Sequence, residues 1–355
     1  MKILWISEFP PDKGGIGDYS FHLVNGLAER GFDIDVVSVS GERPEDLNED
    51  VDVVSSIPSS RSGWKSVFSD EYDLINVQFP GVRALGLTKY SLLNDIPSET
   101  LMTVHEVPTR KRFLPMLDLF DNFAFLSDFG ENEFKSSQGL FCKFRGPEFF
   151  RLPYQGVDKD IEDRLDSKNF KLEINEDKIS IVCPGFIARR KNYDRVVEAL
   201  PDVLEDHGVE LIFAGGSHRN SSGDYEEEIR EKIGELGLEA DVKITGVLDE
   251  EDMVYEYIKS ADLCVLPYEE IYQSGVLAKA LALGTPTVVS GIEGMRKPVE
   301  RYGGLFLDDL DPSSIAEKIV EALNSDIAVD SETVLEDMSW ERNVEELENV
   351  LMKTV

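Results

Sequence analysis

Three consecutive cations, Arg189, Arg190 and Lys191, stand in a chain where 70 acidic residues face 36 basic ones. They follow an apolar run ending at Pro184-Gly185 and precede an amphipathic segment that begins at Tyr193. A strand, a loop and a helix are expected there, with the cations at the strand's carboxyl end and the helix start. Cations in that place oppose the helix dipole and are disfavoured unless an anion shares the site. A diphosphate suits the arrangement; pairing of the arginines with Glu or Asp is the structural alternative.

A second anion site is readable in ADLCVLPYEEIYQSGVLAKALALGTPTVVS, Ala261 to Ser290. Leu263 to Leu266, stopped by Pro267, reads as a strand buried on both faces. An acidic, aromatic loop follows to Gln273. Ser274 can cap the next helix, and Gly275 keeps no side chain between a phosphate and the amides of the first turn. The single charge from Gly275 to Gly284 is Lys279, four residues on and so on the same face as Gly275. It is either a snorkelling lysine or a cation aimed at a ligand phosphate or ribose.

Further candidates stand where strands meet loops. Gly14, Gly15 and Gly17 fall in GGIG, where a strand-to-helix loop brings amides close to an anion, although a plain tight turn reads equally well. Gly215 follows the apolar run Leu211 to Ala214. His105, one of four histidines, ends the run Leu101 to Val104, where α/β sheets place their chemistry; a satisfied core imidazole is the alternative. Arg110, Lys111 and Arg112 form a local basic cluster beside Phe113, Leu114 and Leu117, fit for a membrane surface or an anionic acceptor, or simply a solvated loop.

The elements that must position these residues come as two successive strand-helix series. Lys2 to Ser7, Asp33 to Val39, Asp73 to Phe79, Leu101 to Val104, Asn122 to Leu126 and Phe149 to Leu152 read as strands of a first sheet. Ile179 to Pro184, Leu211 to Ala214, Val242 to Thr245, Leu263 to Leu266, Thr287 to Val289 and Gly304 to Leu307 read as a second. Asp311-Pro312 caps and starts a helix from Ser313 to Leu323. The charge-rich stretch from Val157 to Lys178 reads as a linker, and the amphipathic Trp340 to Leu351 closes the chain as a helix.

At 355 residues with 41% hydrophobic content, two domains with separate cores are expected. No apolar run reaches membrane-spanning length, and the start MKILWISEF lacks a signal-peptide cleavage site, which points to a cytoplasmic protein. Cys142, Cys183 and Cys264 are far apart and read as core thiols, with neither a disulfide framework nor a zinc site suggested. A formal charge of −34 argues against nucleic acid as a partner and suits a solvated surface, with high salt as one habitat. The acidic groups VDKD (Val157 to Asp160) and DEED (Asp249 to Asp252) read as linker solvation and helix caps, so no metal is expected.

Taken in order, GGIGDYSFHLVNGLAERG, LMTVHE, GFIARRKN, LIFAGG, ITGVLDEEDMVYEYIKSADLCVLPY and QSGVLAKALALGTPTVVS resemble the family 4 retaining glycosyltransferases of GT-B fold, among the glycosyl transferases group 1. The likeness spans nearly the whole chain. It implies an α/β protein of two Rossmann-like parallel-sheet domains facing across a cleft. Residues 1–165 with the final helix, 340–355, would form the acceptor-side domain, and residues 166–339 the nucleotide-sugar domain. Carried over by position, Arg190 and Lys191 resemble the pair that neutralises the donor diphosphate; Gly185, Arg189, Gly215, Ser274, Gly275 and Lys279 are read as donor-side residues from their own places at strand ends and helix starts. His105 resembles the histidine near the transferred sugar, and Gly14, Gly15 and Gly17 the loop that closes over donor and acceptor. The family's paired glutamates are replaced by Ile271 and Lys279, which leaves Glu269 or Glu270 of the preceding loop to supply the sugar-binding carboxylate.

The resemblance implies transfer, with retention, from a UDP-, GDP- or ADP-sugar to a glycan, lipid-linked or small-molecule acceptor, with no cofactor required. Two alternatives remain at this level. A nucleotide-sugar epimerase of the same fold would use the same cleft without an acceptor; a non-catalytic sugar-nucleotide-binding partner protein would explain Ile271 and Lys279.

Overall fold

The computed structural model describes residues 1–11, 14–68, 70–79, 96–107, 120–137, 146–217, 223–248 and 250–355. The basic cluster Arg110, Lys111 and Arg112, together with Cys142 and His218, lies outside them. The chain divides into two units, Met1–Gly156 with Trp340–Val355, and Val157–Ser339. Both are parallel-sheet α/β structures, the GT-B class of fold.

In the first unit the strands are β1 (Lys2–Ile6), β2 (Asp33–Ser38), β3 (Val51–Ser56), β4 (Leu74–Phe79), β5 (Glu99–Val104), β6 (Asn122–Phe125) and β7 (Glu148–Arg151). Their order is β3-β2-β1-β4-β5-β6-β7, with every pairing parallel. The sheet grows outward from β1 in one direction to β3, then in the other from β4, so β1 and β4 flank a topological switch point. Ligands of open parallel sheets bind at such points, beyond the strands' carboxyl ends. The strand β3 was not expected in the acidic, serine-rich stretch around it. As an edge strand it alternates buried or partly covered positions with exposed ones, so it lacks the continuous apolar run of its neighbours.

The final helix, Trp340–Thr354, buries Val344, Leu347, Val350 and Leu351 against the helix Gly15–Glu29. A Cβ on Gly26 would come within 2.4 Å of Val344, so the two helices meet where a side chain is missing. Trp340 fills the space that a side chain at Gly156 would need and stacks on His22 with ring centroids 4.3 Å apart.

In the second unit β8 (Ile179–Pro184), β9 (Val209–Ala214), β10 (Val242–Ile244), β11 (Leu263–Leu266), β12 (Thr287–Ser290) and β13 (Leu305–Leu307) lie in the order β10-β9-β8-β11-β12-β13, again all parallel. Here the switch point falls between β8 and β11, the strands that lead into the cationic turn and the capped helix.

Residues 157–178, expected as a linker, include a helix, Ile161–Lys168, with Ile161 and Leu165 buried. Arg164 holds Asp158 at 2.6 Å and Asp252 at 3.1 Å, and Lys168 reaches Asp252 at 3.0 Å. Charge in this segment fastens it to the helix Glu251–Ser260 by opposite pairing, and two apolar residues four apart are enough to seat it. The acidic groups around Asp158 and Asp252 are thus partners of cations, beyond the cap and solvation roles expected of them. Asp311 takes the N-cap position before Pro312, but its side chain makes no capping bond. Among the described residues no helix is long and apolar enough to cross a membrane.

Candidate active site

At the carboxyl end of β8 the chain turns at Gly185, whose φ of +85° lies in the left-handed region that favours glycine. Arg189–Lys191 then forms a single 3-10 turn, and Asn192, also left-handed at φ +51°, starts the helix Tyr193–Asp206. This turn sends its three cations to different fates.

Lys191 folds inward and is 9% exposed. Its Nζ donates to the Pro184 carbonyl at 3.2 Å, which also accepts from the Tyr193 hydroxyl at 2.7 Å. The ammonium lies 5.1 Å from the ring centre of Tyr268 and 5.5 Å from that of Tyr193. These are weak substitutes for water, and burial pushes the Lys191 ammonium down to about 7, with the neighbouring Arg190 charge adding to the effect. Arg190 points into solvent, and among the described residues its guanidinium makes no hydrogen bond or ion pair. Arg189, expected beside a diphosphate, instead forks onto both carboxylate oxygens of Glu228 and stacks over Tyr225 at 5.1 Å. For that residue the pairing alternative holds: a carboxylate from the helix Asp224–Leu236 already neutralises it.

The second loop, after β11, is tied to the first. Glu269 N donates to the Arg190 carbonyl at 2.8 Å, and Asn192 Nδ2 donates to the Pro267 carbonyl at 3.0 Å. Ser274 caps the helix Gly275–Ala282 by accepting from Leu277 N at 3.1 Å. A Cβ on Gly185 would stand 3.0 Å from Lys191 Nζ and 3.6 Å from Val276 Cγ2. The cation and the first turn of that helix therefore flank one glycine. A capped helix start and a desolvated ammonium meet at the switch point, an arrangement chemically suited to an anion such as a phosphate.

Gly215, at φ +152°, lets β9 approach this turn: a Cβ there would fall 2.4 Å from the Gly185 carbonyl oxygen. Its role is close packing behind the cationic turn. Lys279 is 4% exposed, with Nζ 4.9 Å from the ring centre of Tyr255, so it is sheathed by an aromatic ring rather than laid along the surface. Glu269 and Glu270 are both exposed, and Glu269 lines a cavity of about 380 Å³ with Asn192, Arg195, Asp309, Leu310 and Asp311. Ile271, in the place of a family glutamate, presents its carbonyl to Gly294, where a Cβ would overlap the oxygen at 1.9 Å.

The first unit carries its own group of polar residues at its switch point. Gly14 precedes the helix Gly15–Glu29 without a side-chain cap, its carbonyl accepting from Asp18 N at 3.1 Å, and Gly17 is buried within the helix. Gly15 has open space where a Cβ would be. His105, just beyond β5, packs edge-on against Tyr19 at 5.0 Å between centroids, and its Nε2 lies 2.7 Å from Gln78 Oε1. The ring sits deep enough that burial pushes the imidazole down to about 3, so it is neutral at any ordinary pH.

Tyr193, Tyr268 and Gln78 were not singled out in the sequence. A tyrosine directly after the strand-ending Pro267 was one available signal. Asn76 and Gln78, two amides on one face of the otherwise apolar LINVQF, were another.

Residues 166–336 match the family model described as Glycosyl transferases group 1. That match falls within the second unit, Val157–Ser339, and marks it as a Glycosyl transferases group 1 domain. An uncharacterized glycosyltransferase of Methanocaldococcus jannaschii is 24% identical over 99% of this chain and 97% of its own length. Among solved structures, sucrose-phosphate synthase from Thermosynechococcus elongatus superposes with a TM-score of 0.75 at 17% identity, covering 99% of this chain and 98% of that one. Anabaena HepE in complex with UDP-glucose gives 0.70 at 13% identity over 99% and 100% of the two chains.

Proposed function

We propose that the protein transfers a sugar, with retention of anomeric configuration, from a nucleoside-diphosphate sugar to a hydroxyl of a glycan, lipid-linked or small-molecule acceptor. The observation that carries this reading is Lys191. A lysine held in the interior against two tyrosine rings, beside an arginine without a side-chain partner among the described residues and a capped helix start, is a group whose charge is best satisfied by an incoming anion. The donor diphosphate supplies that anion. As the bond between sugar and phosphate breaks, negative charge grows on the leaving diphosphate, and Lys191, Arg190 and the amides at Gly275 and Val276 stabilise it.

On this reading the leaving phosphate takes the acceptor's proton on the face where the new bond forms, and the protein contributes positioning and charge stabilisation. Lys279 adds a cation to the donor side and Glu270 a carboxylate for sugar hydroxyls, while His105 in the first unit serves the transferred sugar. These cations can balance the diphosphate, so transfer is expected to proceed without a divalent metal. The Anabaena neighbour's complex with UDP-glucose supports a UDP-sugar as the first donor to try.

The test is donor hydrolysis and transfer by the purified chain with UDP-, GDP- and ADP-glucose, alongside donor dissociation constants for Lys191→Ala and Lys279→Ala. Lys191→Ala is expected to lower turnover about tenfold or more, and Lys279→Ala to act mainly on donor affinity. Wild-type turnover in Lys191→Ala would refute the reading. Donor binding without turnover of any donor would favour a non-catalytic protein, for which Ile271 and Lys279 are the motivating residues.

A further inference from the structure

Parallel strands covered on both faces are ordinarily apolar, because an amide side chain buried there costs free energy unless it finds partners. The strand β4 breaks that rule twice. Asn76 and Gln78 are both 0% exposed, and being two residues apart they share one face of the sheet. Their side chains are joined: Gln78 Nε2 donates to Asn76 Oδ1 at 2.6 Å, and Asn76 Nδ2 donates to Thr103 Oγ1 of β5 at 3.4 Å. Strand register brings them into line, since Gln78 pairs with Thr103 and Phe79 with Val104. The outer end of the row is Gln78 Oε1, 2.7 Å from His105 Nε2.

An amide whose nitrogen is spent on Asn76 offers only its oxygen to the imidazole. The neutral ring must then carry its proton on Nε2, and Nδ1 is left with a lone pair. Among the described residues Nδ1 makes no hydrogen bond. Burial keeps the ring neutral, pushing it down to about 3, so the lone pair is not lost to protonation.

We propose that Gln78, backed by Asn76 and Thr103, is a positioning residue that locks His105 as the Nε2–H tautomer and leaves Nδ1 as the acceptor for a substrate hydroxyl. This rests on the reading of His105 as the group that meets the sugar. A ring free to change tautomer would present a lone pair to the substrate for only part of the time. Two strands and three side chains are thus committed to the direction of one hydrogen bond.

Long-range ¹H–¹⁵N spectra of the imidazoles decide it on the whole protein, since only four histidines are present and His105→Asn identifies the signal. The wild type is expected to show a protonated Nε2 and an unprotonated Nδ1 across neutral pH. Gln78→Leu should give averaged tautomer shifts, with turnover reduced about 10- to 100-fold and the donor dissociation constant changed less than twofold. Gln78→Glu, which accepts but cannot donate to Asn76, should keep the Nε2 proton and raise the ring's protonation into the measurable range. A protonated Nδ1 in the wild type, an unchanged tautomer in Gln78→Leu, or loss of the Nε2 proton in Gln78→Glu overturns the proposal. If Gln78→Leu does not fold, the wild-type spectrum and Gln78→Glu still settle it. The expected tautomer together with full activity in His105→Asn would instead sink the reading of His105 and leave the tautomer assignment standing.

Discussion

Burial sets two requirements on Lys191 that oppose each other. A binding site gains from a desolvated cation, while the folded state loses by holding one. Below about pH 7 Lys191 is charged in both folded and unfolded chains, and the cost of burying it is fully present. Between about pH 7 and its ordinary value of 10.5 the unfolded chain holds the extra proton, so this cost fades as pH rises and stability increases. Lys191→Met is therefore expected to melt higher than the wild type at pH 6, by about 2–4 °C for each kcal/mol recovered, with the gain shrinking toward pH 10 and transfer falling at least tenfold. Melting curves of the two proteins at pH 6, 8 and 10 check it; a variant that melts lower at pH 6 contradicts the account. The presence of a cationic site was legible in Arg189, Arg190 and Lys191, because a cluster of like charge before a helix needs an explanation. The separate fates of the three were not. Arg189's partner, Glu228, is 39 residues away, and no local spacing connects them.

Loops at the second switch point are held by elements behind them. The backbone at Ile271 and Tyr272 rests on Gly294, near the start of the helix Glu293–Tyr302, with no room for a methyl group. Gly294→Ala is expected to push this loop outward, lowering turnover by about tenfold or more through misplacement of the neighbouring carboxylates and helix start, at a stability cost of about 1–3 kcal/mol. Steady-state kinetics with matched melting curves would show it; unchanged kinetics would mean the loop can shift without consequence. In the first unit, Gly26→Ala should destabilise by a similar amount by forcing Val344 away, and Val344→Ala in the same chain should recover part of that loss. Denaturant unfolding of the singles and the double gives the coupling, and additive effects would argue against a close approach there. The capped helix at Ser274 was readable because its signals are local: a serine, a glycine and an apolar periodicity. The edge strand β3 and the helix Ile161–Lys168 were not, since their stability comes from partners distant in sequence, the neighbouring strand β2 in one case and Asp252 in the other.

Over the whole molecule a formal charge of −34 is distributed on two units that each have an apolar core. Surface repulsion on that scale weakens with ionic strength, since the screening length falls from about 10 Å at 0.1 M to about 3 Å at 1 M. Melting temperature is expected to rise between 0.05 and 1 M sodium chloride; a fall would show that pairs such as Arg164 with Asp158 and Asp252 outweigh the net repulsion. Two α/β domains and a closing helix were readable from length and from the repeated strand-helix series, because both depend on composition and period alone. The placement of that helix, Trp340–Thr354, against Gly15–Glu29 also has a temporal side. During synthesis the ribosome releases Met1–Gly156 first, but the apolar stripe that finishes its core is translated only after every residue from Val157 to Ser339. At about 5–20 residues per second that interval lasts on the order of ten to forty seconds. Throughout it the nascent first unit has Gly26 and its neighbours uncovered, so the chain's exposure to chaperones and proteases is set by the time needed to make the other unit.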